Sequence, residues 1–204
     1  MNKTLNTLSL LFVALTLAAC ASKGPSNEPK RLLLSYDGPV AAAPAAPRPR
    51  LVVRSVGVPD YLDRRELMRR VSAAEIVRDE TAFWAERPSK AITRWVTQAL
   101  AAQRSDFAVE SFSTADGRAP DAVLALTLDS FEPGADGTLR LRGSWIYVPN
   151  GKLAAQSGRF DADAATANNS AEASVAALQL ALASAVKTVA EQLPKASFAA
   201  ELRR

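Results

Sequence analysis

Apolar and polar positions along the 204-residue chain follow two periods. Leu139, Leu141, Gly143, Trp145 and Tyr147 are interleaved with Arg140, Arg142, Ser144 and Ile146. A period of two is what a strand with one buried face requires, because successive side chains leave it on opposite sides. That pattern predicts a strand over 138–148, and apolar runs predict others at 31–36, 51–58, 106–112, 122–131 and 153–162. Pro59 ends the second of these, and residues 134–137 and 149–152 carry turn chemistry between the last three. Elsewhere the period lengthens to that of a helix. Ile92, Trp95, Val96, Ala99 and Leu100 predict an amphipathic helix over 90–103, with Ser89 as its N-cap. Val175, Leu178, Leu182, Val186, Val189 and Leu193 predict a long final helix, capped by Asn169 and Glu172 and stopped by Pro194. Residues 60–78 fit two readings. Asp63 and Glu66 have the spacing of a capping box, whereas the runs around Ser72-Ala73 fit a hairpin. The order of strands, helix, strands, helix predicts an α+β domain, with two main amphipathic helices packed on one face of a mostly antiparallel sheet.

The N-terminus has a different character. Lys3 precedes an apolar run over 8–17, about half of the roughly twenty residues that span a bilayer. Residues 1–19 therefore read as a secretory signal rather than a retained anchor. The run ends in Leu17-Ala18-Ala19-Cys20, which looks like a bacterial lipobox. That likeness implies lipidation of the Cys20 thiol, cleavage before Cys20 and acylation of the new amine. One acyl chain holds a protein only marginally, whereas two or three make a lasting anchor. Ala21 in place of an aspartate favours, by analogy with bacterial lipoproteins, the outer membrane, with the domain facing the periplasm. Residues 20–29 form the lipidated tether, and its nine residues after Cys20 reach about 30 Å. A single domain over 30–194 follows, with a Pro/Ala-rich loop at 37–50 and a C-terminal tail at 195–204. No second apolar run approaches membrane-spanning length.

Composition narrows the chemistry further. An apolar fraction of 48% and a charged fraction of 23% are those of a globular chain. With no histidine, imidazole bases and His-ligated metals are excluded, and a single cysteine excludes an internal disulfide and any Cys-cluster metal site. There is neither a Gly-x-Ser-x-Gly elbow nor a glycine-rich phosphate loop. Ser89-Lys90 reads as an N-cap and an exposed lysine rather than a dyad. Asp161 and Asp163 read as exposed edge charges rather than a carboxylate pair. No catalytic residue, metal or cofactor is predicted. Arginines at 48, 50, 54, 64, 65, 69 and 70 make a basic stretch suited to lipid headgroups or an acidic partner, and the envelope compartment excludes nucleic acid.

Specific segments then carry a resemblance. Val56-Gly57-Val58-Pro59-Asp60-Tyr61-Leu62-Asp63-Arg64 and Phe83-Trp84-Ala85-Glu86-Arg87-Pro88, with the lipobox, the Leu-rich strand ending at Tyr36, and the later 126–132 and Gly143-Ser144-Trp145 segments, are similar to PqiC-type auxiliary lipoproteins. These belong to ABC transport systems that work with MCE proteins. The resemblance implies a non-enzymatic, outer-membrane lipoprotein that docks a periplasmic MCE assembly, moves no substrate by chemistry of its own, and supports lipid transport and envelope integrity. It also implies that ring-like homo-oligomers occur and that 67–78 forms strands. Tyr61, Arg64 and Trp84, which lie in the most specific motifs, are expected on a partner-facing surface. Two departures are the long loop at 37–50 and the polar, Ala-rich segment after Phe160. The alternative reading is an envelope lipoprotein that regulates a cell-wall synthase or another envelope complex. An envelope hydrolase would need a converged polar site that the sequence does not offer.

Overall fold

The computed structural model describes residues 28–41, 47–115, 117–151 and 153–196. The signal segment, Cys20 and nearly all of the tether lie outside the described residues, as do 42–46 of the Pro/Ala-rich loop and 197–204 of the tail. Eight strands and two helices follow in order: β1 (Lys30–Leu32), β2 (Arg50–Val53), β3 (Glu66–Arg70), β4 (Ile76–Trp84), α1 (Pro88–Gln103), β5 (Ala108–Ser111), β6 (Ala122–Ser130), β7 (Thr138–Pro149), β8 (Gln156–Ala165) and α2 (Ala171–Gln192).

The fold is α+β with mostly antiparallel pairing, as expected, but its strands divide into two sheets and both are mixed. A five-stranded sheet has the order β5-β2-β6-β7-β8, and a three-stranded sheet the order β1-β4-β3. β6, β7 and β8 form the antiparallel meander that the alternation predicted. β2 is parallel to both of its neighbours, and β1 is parallel to β4. The reason lies in the connections: between β2 and β5 the chain leaves to build β3, β4 and α1, and so long an excursion permits a parallel return that a tight turn forbids. β3 and β4 form a hairpin closed by Val71 N–H on the Glu75 carbonyl at 3.0 Å, which decides the ambiguous region in favour of strands.

One face of the large sheet supplies Leu124, Leu126, Leu128, Leu139, Leu141, Trp145 and Tyr147 to the core. The stripes of α1 (Ile92, Trp95, Val96, Leu100) and α2 (Val175, Leu178, Leu182, Val186) pack into the same cluster. The opposite face carries Arg142, whose guanidinium pairs with both Asp161 (2.6 Å) and Asp163 (2.7 Å). Cross-strand register puts the three on one face, so each carboxylate is opposed by a cation.

Several local expectations change. β1 stops at Leu32 because the chain then leaves the sheet to cross both helices: the Ser35 carbonyl accepts from Trp95 Nε1 (3.1 Å) and Gln179 Nε2 (2.8 Å). α1 begins at Pro88 with Arg87 at the cap position, so Ser89 lies inside the helix. α2 is capped by Ser170, not Asn169: its Oγ accepts from Ala173 N–H at 3.1 Å. Glu172 sits in the first turn, where it pairs with Lys30 at 2.7 Å. α2 is also long and apolar enough to cross a membrane by length and composition, contrary to the expectation of no second such run. Half of its apolar window is buried against the sheet, as a core helix requires. The tail is not wholly outside the domain either, since Ala196 is buried and its N–H donates to Asp106 at 2.9 Å.

Candidate partner-binding surface

The two most distinctive segments of the sequence meet in space. Residues 59–63 form a turn in which Leu62 N–H and Asp63 N–H both donate to the Pro59 carbonyl, at 2.8 and 3.0 Å. The turn drops Leu62 into the core and aims the Asp63 carboxylate at the start of α1. There Asp63 accepts from Ser89 N–H (2.9 Å) and Ser89 Oγ–H (3.1 Å), with the Arg87 guanidinium 3.6 Å away. Pro88 opens the helix without an N–H to satisfy. Asp63 therefore caps α1 from a remote segment, and its negative charge meets the positive end of the helix dipole. The Ser89 hydroxyl is occupied by this carboxylate rather than directed to Lys90.

Around this interlock the surface is charged. Asp60, Asp63, Arg64, Arg65, Glu66 and Arg87 line an open hollow of about 550 Å³. Arg64 is exposed, held loosely by its Nε on the Asp60 carbonyl at 3.3 Å. Arg65 and Arg87 are exposed beside it.

Tyr61 and Trp84 stand differently from Arg64. Tyr61 is half-buried, and its hydroxyl lies 3.4 Å from each carboxylate oxygen of Glu132. Burial first, and then the Glu132 charge, pushes the Tyr61 phenol above its ordinary pKa, so it stays a hydrogen-bond donor. Glu132 has a side chain only 2% exposed, and Arg70 holds it through Nε (2.9 Å) and Nη2 (2.5 Å). Trp84 is 6% exposed and belongs to the core cluster. Its N–H donates to the Arg65 carbonyl at 2.6 Å, so it buttresses the charged loop from beneath. A small, partly open space of about 40 Å³ beside Trp84, Phe131 and Leu178 has room for a water or two.

The sequence motifs thus converge, but the side chains that join them were not legible in advance. Asp63 was visible only as a local capping-box residue, since nothing in its spacing announces a partner at Ser89. Glu132 closes the 126–132 segment that carries the resemblance, but nothing there marks it as a buried carboxylate, which is recognisable only once Arg70 is seen beside it.

The model of the ABC-type transport auxiliary lipoprotein component family matches residues 32–190. The chain belongs to this family. It is therefore an auxiliary lipoprotein component of an ABC-type transport system, a description that implies membrane anchoring. No curated protein matches the chain by sequence. Among solved structures, an uncharacterized protein aligns with a TM-score of 0.68 at 18% identity, covering 82% of this chain and 99% of its own. A Xanthomonas campestris protein of the DUF330 family aligns with a TM-score of 0.62 at 16% identity, covering 78% and 92%. At such identities these two share the fold.

Proposed function

We propose that the protein is a non-enzymatic, outer-membrane-anchored subunit that ties the periplasmic MCE assembly of an ABC-type lipid transporter to its membrane. The observation that carries this reading is the interlock of the 59–64 and 84–89 segments, made by the Asp63 cap on α1. It holds an exposed, charged loop rigid at the place where the family-like motifs lie, which is what a docking surface needs and a flexible loop lacks. In this reading Arg64, with Arg65 and Arg87, touches the partner, while Tyr61 and Trp84 hold the loop in position. Lipidation at Cys20 keeps the start of the domain within about 30 Å of the bilayer. Ring-like self-association would multiply the docking sites around one transport assembly.

The test is recovery of partners with the tagged, lipidated chain from crosslinked, detergent-solubilised envelopes. An MCE protein and its ABC permease are expected, and the Arg64→Glu/Arg65→Glu/Arg87→Glu variant should lose them while keeping its folded circular dichroism spectrum. Recovery of a cell-wall synthase in their place would overturn the transport reading. Undiminished recovery with the triple variant would overturn the surface.

A further inference from the structure

β5 is an edge strand, and its register fixes which backbone groups remain open. Among the described residues it pairs only with β2. Ala108 N–H donates to the Pro49 carbonyl and Phe112 N–H to the Val53 carbonyl, both at 2.9 Å. Residues of a parallel strand alternate in the side to which they present both groups, so 108, 110 and 112 face β2. Val109 and Ser111 face outward. The Ser111 carbonyl is already used by the N–H groups of Thr114 (3.0 Å) and Ala115 (3.1 Å). Ser111 itself is buried under that turn, so the N–H and carbonyl of Val109 are the groups left facing away from β2.

A groove of about 780 Å³ runs beside these groups. Its far wall is one polar stripe of α1, with Lys90, Thr93, Arg94 and Thr97 at helical spacing. At the end of the strand Phe112 is 73% exposed, in a chain that buries most of its aromatic rings. Two acids and two bases line the groove, and Arg50 from outside it takes up one of the acids, which leaves one cation over. Glu86 is held by Arg94, and Glu110 by Arg50 at 2.6 Å. Lys90 has no ion-pair partner among the described residues.

We propose that this groove binds an extended acidic segment of a partner polypeptide by strand addition to β5. The partner's backbone would pair with the N–H and carbonyl of Val109, an apolar side chain would cover Phe112, and a carboxylate would meet Lys90. The site is distinct from the Arg64 surface and stands whatever the partner there proves to be.

The probe is a fluorescently labelled heptapeptide of alternating valine and aspartate, added to the lipidated mature chain in detergent micelles. Binding is read by anisotropy, and amide hydrogen exchange by mass spectrometry. Exchange over 106–112 should slow on binding. Val109→Pro removes an outward N–H without touching the β2 ladder, so it should weaken binding at least about tenfold relative to Val109→Ala. Phe112→Ala, at an exposed position, should weaken it as well, which keeps the test decisive if the proline variant folds poorly. Lys90→Glu should weaken binding more at low salt than at high salt. Absence of binding, equal binding by Val109→Pro and Val109→Ala, or slowed exchange elsewhere would each overturn the proposal. So would slowing over 106–112 that grows with protein concentration without peptide, which would assign the edge to a second copy of this chain.

Discussion

At Asp63 one carboxylate does work that a helix ordinarily obtains from its own flanking residue. Removing it leaves the Ser89 N–H and hydroxyl without their acceptor, so Asp63→Ala should cost about 1–2 kcal/mol in urea unfolding. Asp63→Asn, whose amide oxygen can still accept, should recover part of that loss. Burial separates two residues that the sequence motifs place on one footing. Trp84→Ala should cost about 3–5 kcal/mol, and Arg64→Ala less than about 0.5 kcal/mol, in the same measurement. That these segments were special was legible through the family resemblance they carry. Which side chain faces solvent was not, because two adjacent aromatics, Phe83 and Trp84, offer no local clue to the side on which the core lies.

Among the elements, the helices illustrate how one supplies what another lacks. α2 has no basic residue in its last turn. Arg104, just beyond the end of α1, takes that role: Nη1 donates to the Ala190 and Leu193 carbonyls (3.1 and 3.2 Å) and Nη2 to that of Pro194 (2.6 Å). The guanidinium also pairs with Asp106 at 2.7 Å and lies 4.8 Å from the centre of the Phe107 ring. Arg104→Ala should therefore destabilise by about 3 kcal/mol, and Arg104→Lys should not restore it, because an ammonium cannot reach so many acceptors in one plane. Burial pushes the Asp106 carboxyl up, but the hydrogen bonds from Arg104 and from Ala196 N–H outweigh it and hold its pKa below the ordinary aspartate value. A depressed folded pKa adds stability above the unfolded pKa and loses it as pH falls through the folded one. Acid titration followed by circular dichroism should show this loss beginning in the ordinary carboxylate range, with a shallower slope in Asp106→Asn. In the large sheet, β7 passes closest to its neighbours at Gly143. A Cβ there would stand 2.3 Å from the Thr127 carbonyl oxygen and 2.5 Å from the Phe160 ring. Gly143→Ala should cost about 1–3 kcal/mol, read as a lowered urea midpoint.

For the whole molecule, anchorage and docking are separable. Cys20→Ser should move the protein from the membrane fraction to the soluble one while its circular dichroism stays unchanged, since the domain's core is built from residue 32 onward. Charge reversal at Arg64, Arg65 and Arg87 should do the opposite, leaving the protein on the membrane with its partner lost. A double result of this kind would locate the two functions at opposite ends of one short tether.

The sequence by itself determined the periods, and with them the existence and type of most elements, while β3 and β4 stayed open between a helix and a hairpin. A strand with one wet face must alternate, and a helix with one buried stripe must repeat every three to four residues, so the meander β6-β7-β8 and both helices were written in local pattern. It also determined the chemistry that could not occur, because a chain without histidine and with one cysteine lacks those ligands in any fold. Only the tertiary structure decided the parallel place of β2 between β5 and β6, the split into two sheets, and the caps at Asp63 and Arg104. Each of these joins residues far apart along the chain, and pairing of that kind leaves no period behind. Its signal is the relief of an unpaired N–H, carbonyl or charge, and that relief exists only when the partner has been folded into place.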